Sequence, residues 1–85
     1  MNYIIALFSN RNSTLRFYNM LTRLGVRSSV ISTPKIPGFN CGVCVKLNKN
    51  DYNLATNLLY RSEFSDFLGF YEIKKDGEKL YSVKI

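Results

Sequence analysis

Apolar residues run without a break from Tyr3 to Phe8. Six apolar positions in a row suit a short strand covered on both faces, so this stretch is expected at the centre of a sheet. Ser9-Asn10-Arg11-Asn12-Ser13 then offers several helix N-caps. A helix is predicted over residues 13–24, with Leu15, Phe17, Tyr18, Leu21 and Leu24 as its apolar stripe, Arg16 and Arg23 on its wet side, and Gly25 as its stop. A second strand is predicted over 26–33. Ser28, Ser29 and Ser32 interrupt its apolar run, which suits a sheet edge. Val43–Leu47 alternates cleanly, with Val43, Val45 and Leu47 on one face and Cys44 and Lys46 on the other. Asn50 or Asp51 starts a second helix running to about 62, whose inward face is Leu54, Ala55, Leu58 and Leu59. Residues 63–67 follow as a continuation of the helix or a loop, and Phe64 and Phe67 are expected to be buried. Strands over 69–75 and 78–85 flank Asp76-Gly77, a two-residue hairpin signal.

The order is β-α-β-β-α-β with one more β. This implies an α+β fold: a ferredoxin-like plait with an additional C-terminal strand forming a hairpin. Eighty-five residues make a single domain, 1–85. Ile4, Ala6 and Phe8 alternate with Tyr3, Ile5 and Leu7, so the sheet face turned away from the helices is apolar too. Either the terminal hairpin folds over that face or a second copy covers it, and a homodimer or higher oligomer is expected.

Composition narrows the chemistry. Twelve basic residues against six acidic ones give a net charge of +6, which favours anionic partners, nucleic acid included. The cations are scattered, with no basic block beyond Lys74-Lys75, and nucleic-acid binding is the less favoured alternative. The absence of histidine excludes Ser-His-Asp and Cys-His nucleophile pairs and any His-ligated metal site, and two cysteines alone do not make a zinc site. No metal or cofactor is expected. No stretch approaches the roughly 18 apolar residues of a membrane span. The opening residues read as a strand instead of a signal peptide, so the cytoplasm, where thiols stay reduced, is the expected compartment.

The remaining chemistry gathers at Ser32-Thr33-Pro34-Lys35-Ile36-Pro37-Gly38-Phe39-Asn40-Cys41-Gly42, a proline- and glycine-rich turn that ends on a thiol. Cys41 has two readings. It is a small residue filling space at a strand start, since cysteine is among the most buried residue types. Alternatively it is a reactive thiol beside a glycine that lets a ligand approach the backbone. Cys41-Gly42-Val43-Cys44 is also a C-x-x-C, and Cys44 is a possible second thiol. In a strand, however, positions 41 and 44 point to opposite faces, which opposes an internal disulfide. Tyr3, Tyr71 and Tyr81, with Phe8, Phe70 and Lys46, raise a stacking platform for bases as a further alternative, although no aromatic-rich strand motif accompanies them. Ser9, Asn12 and Ser13 either cap the first helix or hold an anion at its N-terminus.

Several residues together resemble a known family: Phe8 and Ser9 at a strand end, Gly25 at a helix end, Thr33-Pro34-Lys35, and Cys41-Gly42 opening the strand Val43–Leu47. They resemble the small proteins described as putative selenium/sulfur carrier protein-like, over about residues 3–62. Lys35 stands where the family more usually has arginine, which keeps a cation but loses the guanidinium fork. The final hairpin looks longer than the family's compact end. The resemblance implies a carrier instead of a turnover enzyme. Cys41 would bear sulfur or selenium as a persulfide-type adduct, Lys35 would be its electrostatic partner, and Gly42 its backbone cradle. Ser9, Thr33 and Asn40 complete the candidate binding residues, and the implied partners are sulfur or selenium donor and acceptor proteins. The thiolate is the reactive form, and an ordinary thiol pKa of about 8.5 leaves little of it at neutral pH, so nearby positive potential is needed. The alternative is a non-enzymatic oligomeric interaction or regulatory module in which Cys41 does no chemistry.

Overall fold

The computed structural model describes residues 2–34 and 42–85. The elements run β1 (Tyr3–Phe8), α1 (Arg11–Arg23), β2 (Ser28–Ser32), β3 (Val43–Leu47), a 3-10 turn (Lys49–Asp51), α2 (Tyr52–Arg61), β4 (Phe67–Asp76) and β5 (Lys79–Lys84). Among the described residues, five strands form one antiparallel sheet in the order β2-β3-β1-β4-β5. The architecture is therefore α+β. The β1-α1-β2 unit leaves room for β3 between its strands, and the β3-α2-β4 unit leaves room for β1. Strand β1 is paired on both sides, with Ile5 opposite Lys46 of β3 and Tyr71 of β4. As expected, β2 with its serines lies at an edge.

Both helices cover one side of the sheet. Ile4, Ala6 and Phe8 of β1 pack there with Phe17 and Leu21 of α1, Val45 and Leu47 of β3, Ala55 of α2 and Phe70 of β4. Phe8 is the hub of the aromatic part, with its ring centre 5.4 Å from Phe17, 5.0 Å from Phe64 and 5.3 Å from Phe67. Phe64 and Phe67, expected to be buried, are half-buried against this cluster, and Phe67 begins β4 instead of continuing the helix or lying in a loop.

Helix α1 starts two residues earlier than the sequence suggested, because Asn10 is the cap: its side-chain oxygen accepts from the Asn12 N–H at 2.8 Å. Its inward stripe is Thr14, Phe17 and Leu21. Leu15 and Leu24, expected inside, are 38% and 55% exposed. A buried line 14-17-21 leaves Leu15 about 100° round from Thr14, at 3.6 residues per turn, and Leu24 falls at the C-cap, past the last turn. Thr14 tolerates burial because its hydroxyl donates to the Asn10 carbonyl at 3.4 Å, a long bond. In α2 the same correction applies to Leu54, which is 44% exposed while Ala55 is buried.

The other sheet face is also closed within a single chain. Ile5, Leu7 and Cys44 are fully buried, Tyr71 and Ile73 nearly so, and Tyr3, Ile31 and Leu68 pack around them. The terminal hairpin does not fold over this face. It extends the sheet in its own plane, with β5 paired along β4 from Tyr71↔Lys84 to Asp76↔Lys79. The expectation of a second copy on that face therefore loses its basis. The two-residue turn is Gly77-Glu78, one position later than the Asp76-Gly77 signal, because Asp76 still pairs with Lys79. Gly77 has φ +63°, the conformation that a hairpin turn of the primed type needs at its first central position.

A single ion pair, Lys49 to Glu72 at 2.6 Å, ties the 3-10 turn to β4 among the described residues. The hydrogen bond from Lys49 holds the Glu72 carboxyl below its ordinary range, outweighing the opposing effect of burial. Its stabilising contribution is present above the ordinary carboxylate range and is lost as pH falls through the depressed value.

The packing sets an expected contrast. Phe8→Ala, at the centre of three ring contacts, should cost about 3–5 kcal/mol, whereas Leu24→Ala should cost less than about 1 kcal/mol. Urea denaturation of the two variants checks this, and similar costs would contradict the assigned helix face.

Candidate functional site

The proline- and glycine-rich connection leaves and rejoins the sheet at one point. After the last β2-β3 pair, Ser32 with Val43, the Thr33 N–H donates to the Gly42 carbonyl at 3.2 Å. Thr33 is half-buried, and its hydroxyl oxygen is buried without a hydrogen-bond partner among the described residues. Gly42 is exposed, and no described atom lies within 4 Å of where a Cβ would stand. Its backbone is not in the left-handed region. Among the described residues, neither turn geometry nor crowding thus demands glycine here. Lys35, Asn40 and Cys41 lie outside the described residues.

Antiparallel pairing brings the end of β1 to the same end of the sheet. Ala6 sits opposite Val45, so Ser9, three residues further along β1, and Gly42, three residues back along β3, both lie past that pair in the same direction. The topology thus assembles Ser9, the α1 N-terminus, Thr33 and Gly42 at one end. A residue missed at the sequence level joins them. Asp66 accepts the Asn10 N–H on its carboxylate at 3.1 Å, and its backbone carbonyl accepts the Ser9 N–H at 3.0 Å. A carboxylate therefore already complements the positive end of α1, where Ser9, Asn12 and Ser13 were considered for an outside anion. The available signal was that Asp66 stands between Phe64 and Phe67, two residues that had to reach the core.

Cys44 sits mid-strand in β3, opposite Ile31, on the helix-free face. Tyr3 lies on the same face. Burial, and secondarily the negative charge that Cys44 would carry as a thiolate, push its phenol above the ordinary value. The Lys46 ammonium stands over the Tyr3 ring, 4.5 Å from its centre. The aromatics proposed as a stacking platform do not share a face. Phe8 and Phe70 are buried on the helix side, Tyr3 and Tyr71 lie on the other, and Tyr81 is on β5 opposite Lys74.

Residues 2–72 match the family described as Putative Se/S carrier protein-like. The chain belongs to this family. The match runs from β1 into β4 and takes in the whole connection with Cys41 and Cys44, while the hairpin tip and β5 lie beyond it. No curated protein and no solved structure matches the chain. No described helix is long and apolar enough to cross a membrane.

For this member of the family, the burial of Cys44 has a direct chemical consequence. A thiol with no exposed surface in the middle of a sheet is reached by a reagent only when the strand opens. Labelling of Cys44 by a neutral maleimide, followed by peptide mapping, should be at least about 100-fold slower in the native protein than in denaturant. Comparable rates would contradict its placement.

Proposed function

We propose that the protein is a thiol carrier in which Cys41 accepts a sulfur or selenium atom as a persulfide-type adduct and passes it on. The observation that carries this reading is the family match across residues 2–72, which spans Cys41 and its flanking turn. The closure of Thr33 on Gly42 supports it, because Gly42 is bonded directly to Cys41 and is exposed at that end of the sheet, with no described atom crowding its backbone.

In the transfer step the Cys41 thiolate attacks the outer sulfur of a donor persulfide. A bond forms between Cys41 Sγ and that sulfur, the donor's S–S bond breaks, and its electron pair leaves on the donor as a thiolate. The exchange needs no outside oxidant and no general base, so the absence of histidine is no obstacle. In this reading Lys35 supplies positive potential that favours the Cys41 thiolate. Backbone N–H groups near Gly42 hold the terminal anion, with Ser9, Thr33 and Asn40 around it. Donor and acceptor proteins are the partners, and the cytoplasm is the compartment. We read the chain as one domain, a ferredoxin-like plait built from β1 to β4 with β5 added outside it. An assembly of identical copies belongs to the reading as well. The surface that favours it is β5, where Leu80, Tyr81, Val83 and Ile85 are all exposed along an outer sheet edge.

Intact mass spectrometry after incubation with a persulfide donor tests the carrier role. The expected result is a gain of one sulfur atom that reduction removes, that is absent in Cys41→Ser, and that persists in Cys44→Ser. A wild-type protein that takes up no sulfur, or a Cys41→Ser variant that still does, would overturn it.

A further inference from the structure

The opposite end of the sheet carries a second polar feature, unconnected with the thiol. The start of β1, the start of β2 and the end of β3 meet there around a hollow of about 340 Å³, within the size range of small-molecule sites. Its walls include Asn2, Tyr3, Arg27, Ser28, Ser29 and Lys46. Two of these are cations, and neither has an ion-pair partner among the described residues. None of the six acidic residues of the chain lines the hollow. Ser29 pairs with Lys46, which in turn pairs with Ile5 of the helix-free face, so the Ser29 and Lys46 side chains share the face on which Tyr3 lies. The hollow thus offers one guanidinium, one ammonium and the Ser29 hydroxyl, with no carboxylate to oppose an anion.

We propose that this hollow binds the phosphate group of a small phosphate monoester. A tetrahedral oxyanion matches the donor set: the planar guanidinium of Arg27 gives paired hydrogen bonds, Lys46 a point charge, and Ser29 a neutral donor. Lys46 is already restrained against the Tyr3 ring, so little is lost in ordering it. The site is concave and local, and the remaining cations are scattered along the chain, which favours a small ligand over a polynucleotide.

Amide chemical shifts of the full chain, titrated with inorganic phosphate and separately with potassium chloride at matched ionic strength, test the proposal. Saturable shifts confined to residues around Tyr3, Ser28, Ser29 and Lys46 are expected with phosphate only. Arg27→Ala and Lys46→Ala, both exposed positions, should each weaken binding by about tenfold or more, with Lys75→Ala unchanged. Equal shifts in chloride, shifts centred on the α1 N-terminus, or equal affinity in all three variants would overturn it. So would a complex with mixed-sequence RNA that phosphate does not displace. Because Cys41 takes no part, Cys41→Ser should bind phosphate as the wild type does, which separates this result from the fate of the carrier reading.

Discussion

Strand β1 is the constraint on which the fold rests. It hydrogen-bonds to β3 on one side and β4 on the other, and every residue from Ile4 to Phe8 is buried. Its two faces serve two clusters. Ile4, Ala6 and Phe8 meet the helices, while Ile5 and Leu7 meet Cys44, Tyr71 and Ile73. A strand used on both faces and both edges leaves no open surface at the middle of the sheet. Chemistry is thereby displaced to the two ends of the sheet and to the outer strands.

Those ends differ in kind because the strands are antiparallel. One end gathers the close of β1, the N-terminus of α1 and the two stems of the β2-β3 connection, with Asp66 already set against the helix dipole. The other gathers the start of β1, the start of β2 and the end of β3, with Arg27 and Lys46 and no acid. The first end holds a carboxylate and lies beside the thiol-bearing connection, and the second offers unopposed cations. The lone ion pair among the described residues, between Lys49 and Glu72, lies at neither functional feature and serves the fold.

Much of this was legible in the sequence where a single period dominates. The unbroken run in β1 announced a strand covered twice, and the alternation in β3 sorted Val45 and Leu47 from Cys44 correctly. The stripe of α1 was harder to read. Leu15 and Leu24 are more apolar than Thr14, yet Thr14 is inside because its hydroxyl finds a carbonyl one turn back, a local solution that hydropathy does not reveal. The turn at Gly77 shifted by one residue because only Gly77, and not Glu78, has a positive φ, the pattern of a type II′ turn with glycine first instead of the type I′ Asp-Gly pair. Asp66 was invisible for a different reason. Its partners, Ser9 and Asn10, are more than fifty residues away, and only the pairing of β1 with β4 brings them together. The family was legible from the Thr33-Pro34-Lys35 and Cys41-Gly42 spacing, and the match extends beyond those residues, to position 72.

Native-state hydrogen exchange tests the central claim, that β1 is closed on both faces within one chain. The account requires the Ile5 and Ala6 amides to exchange only through global unfolding, at a rate independent of protein concentration, while amides of β5 exchange through openings at least about 2 kcal/mol less costly. Exchange in β1 as fast as in β5, or protection of β1 that grows with concentration, would contradict it.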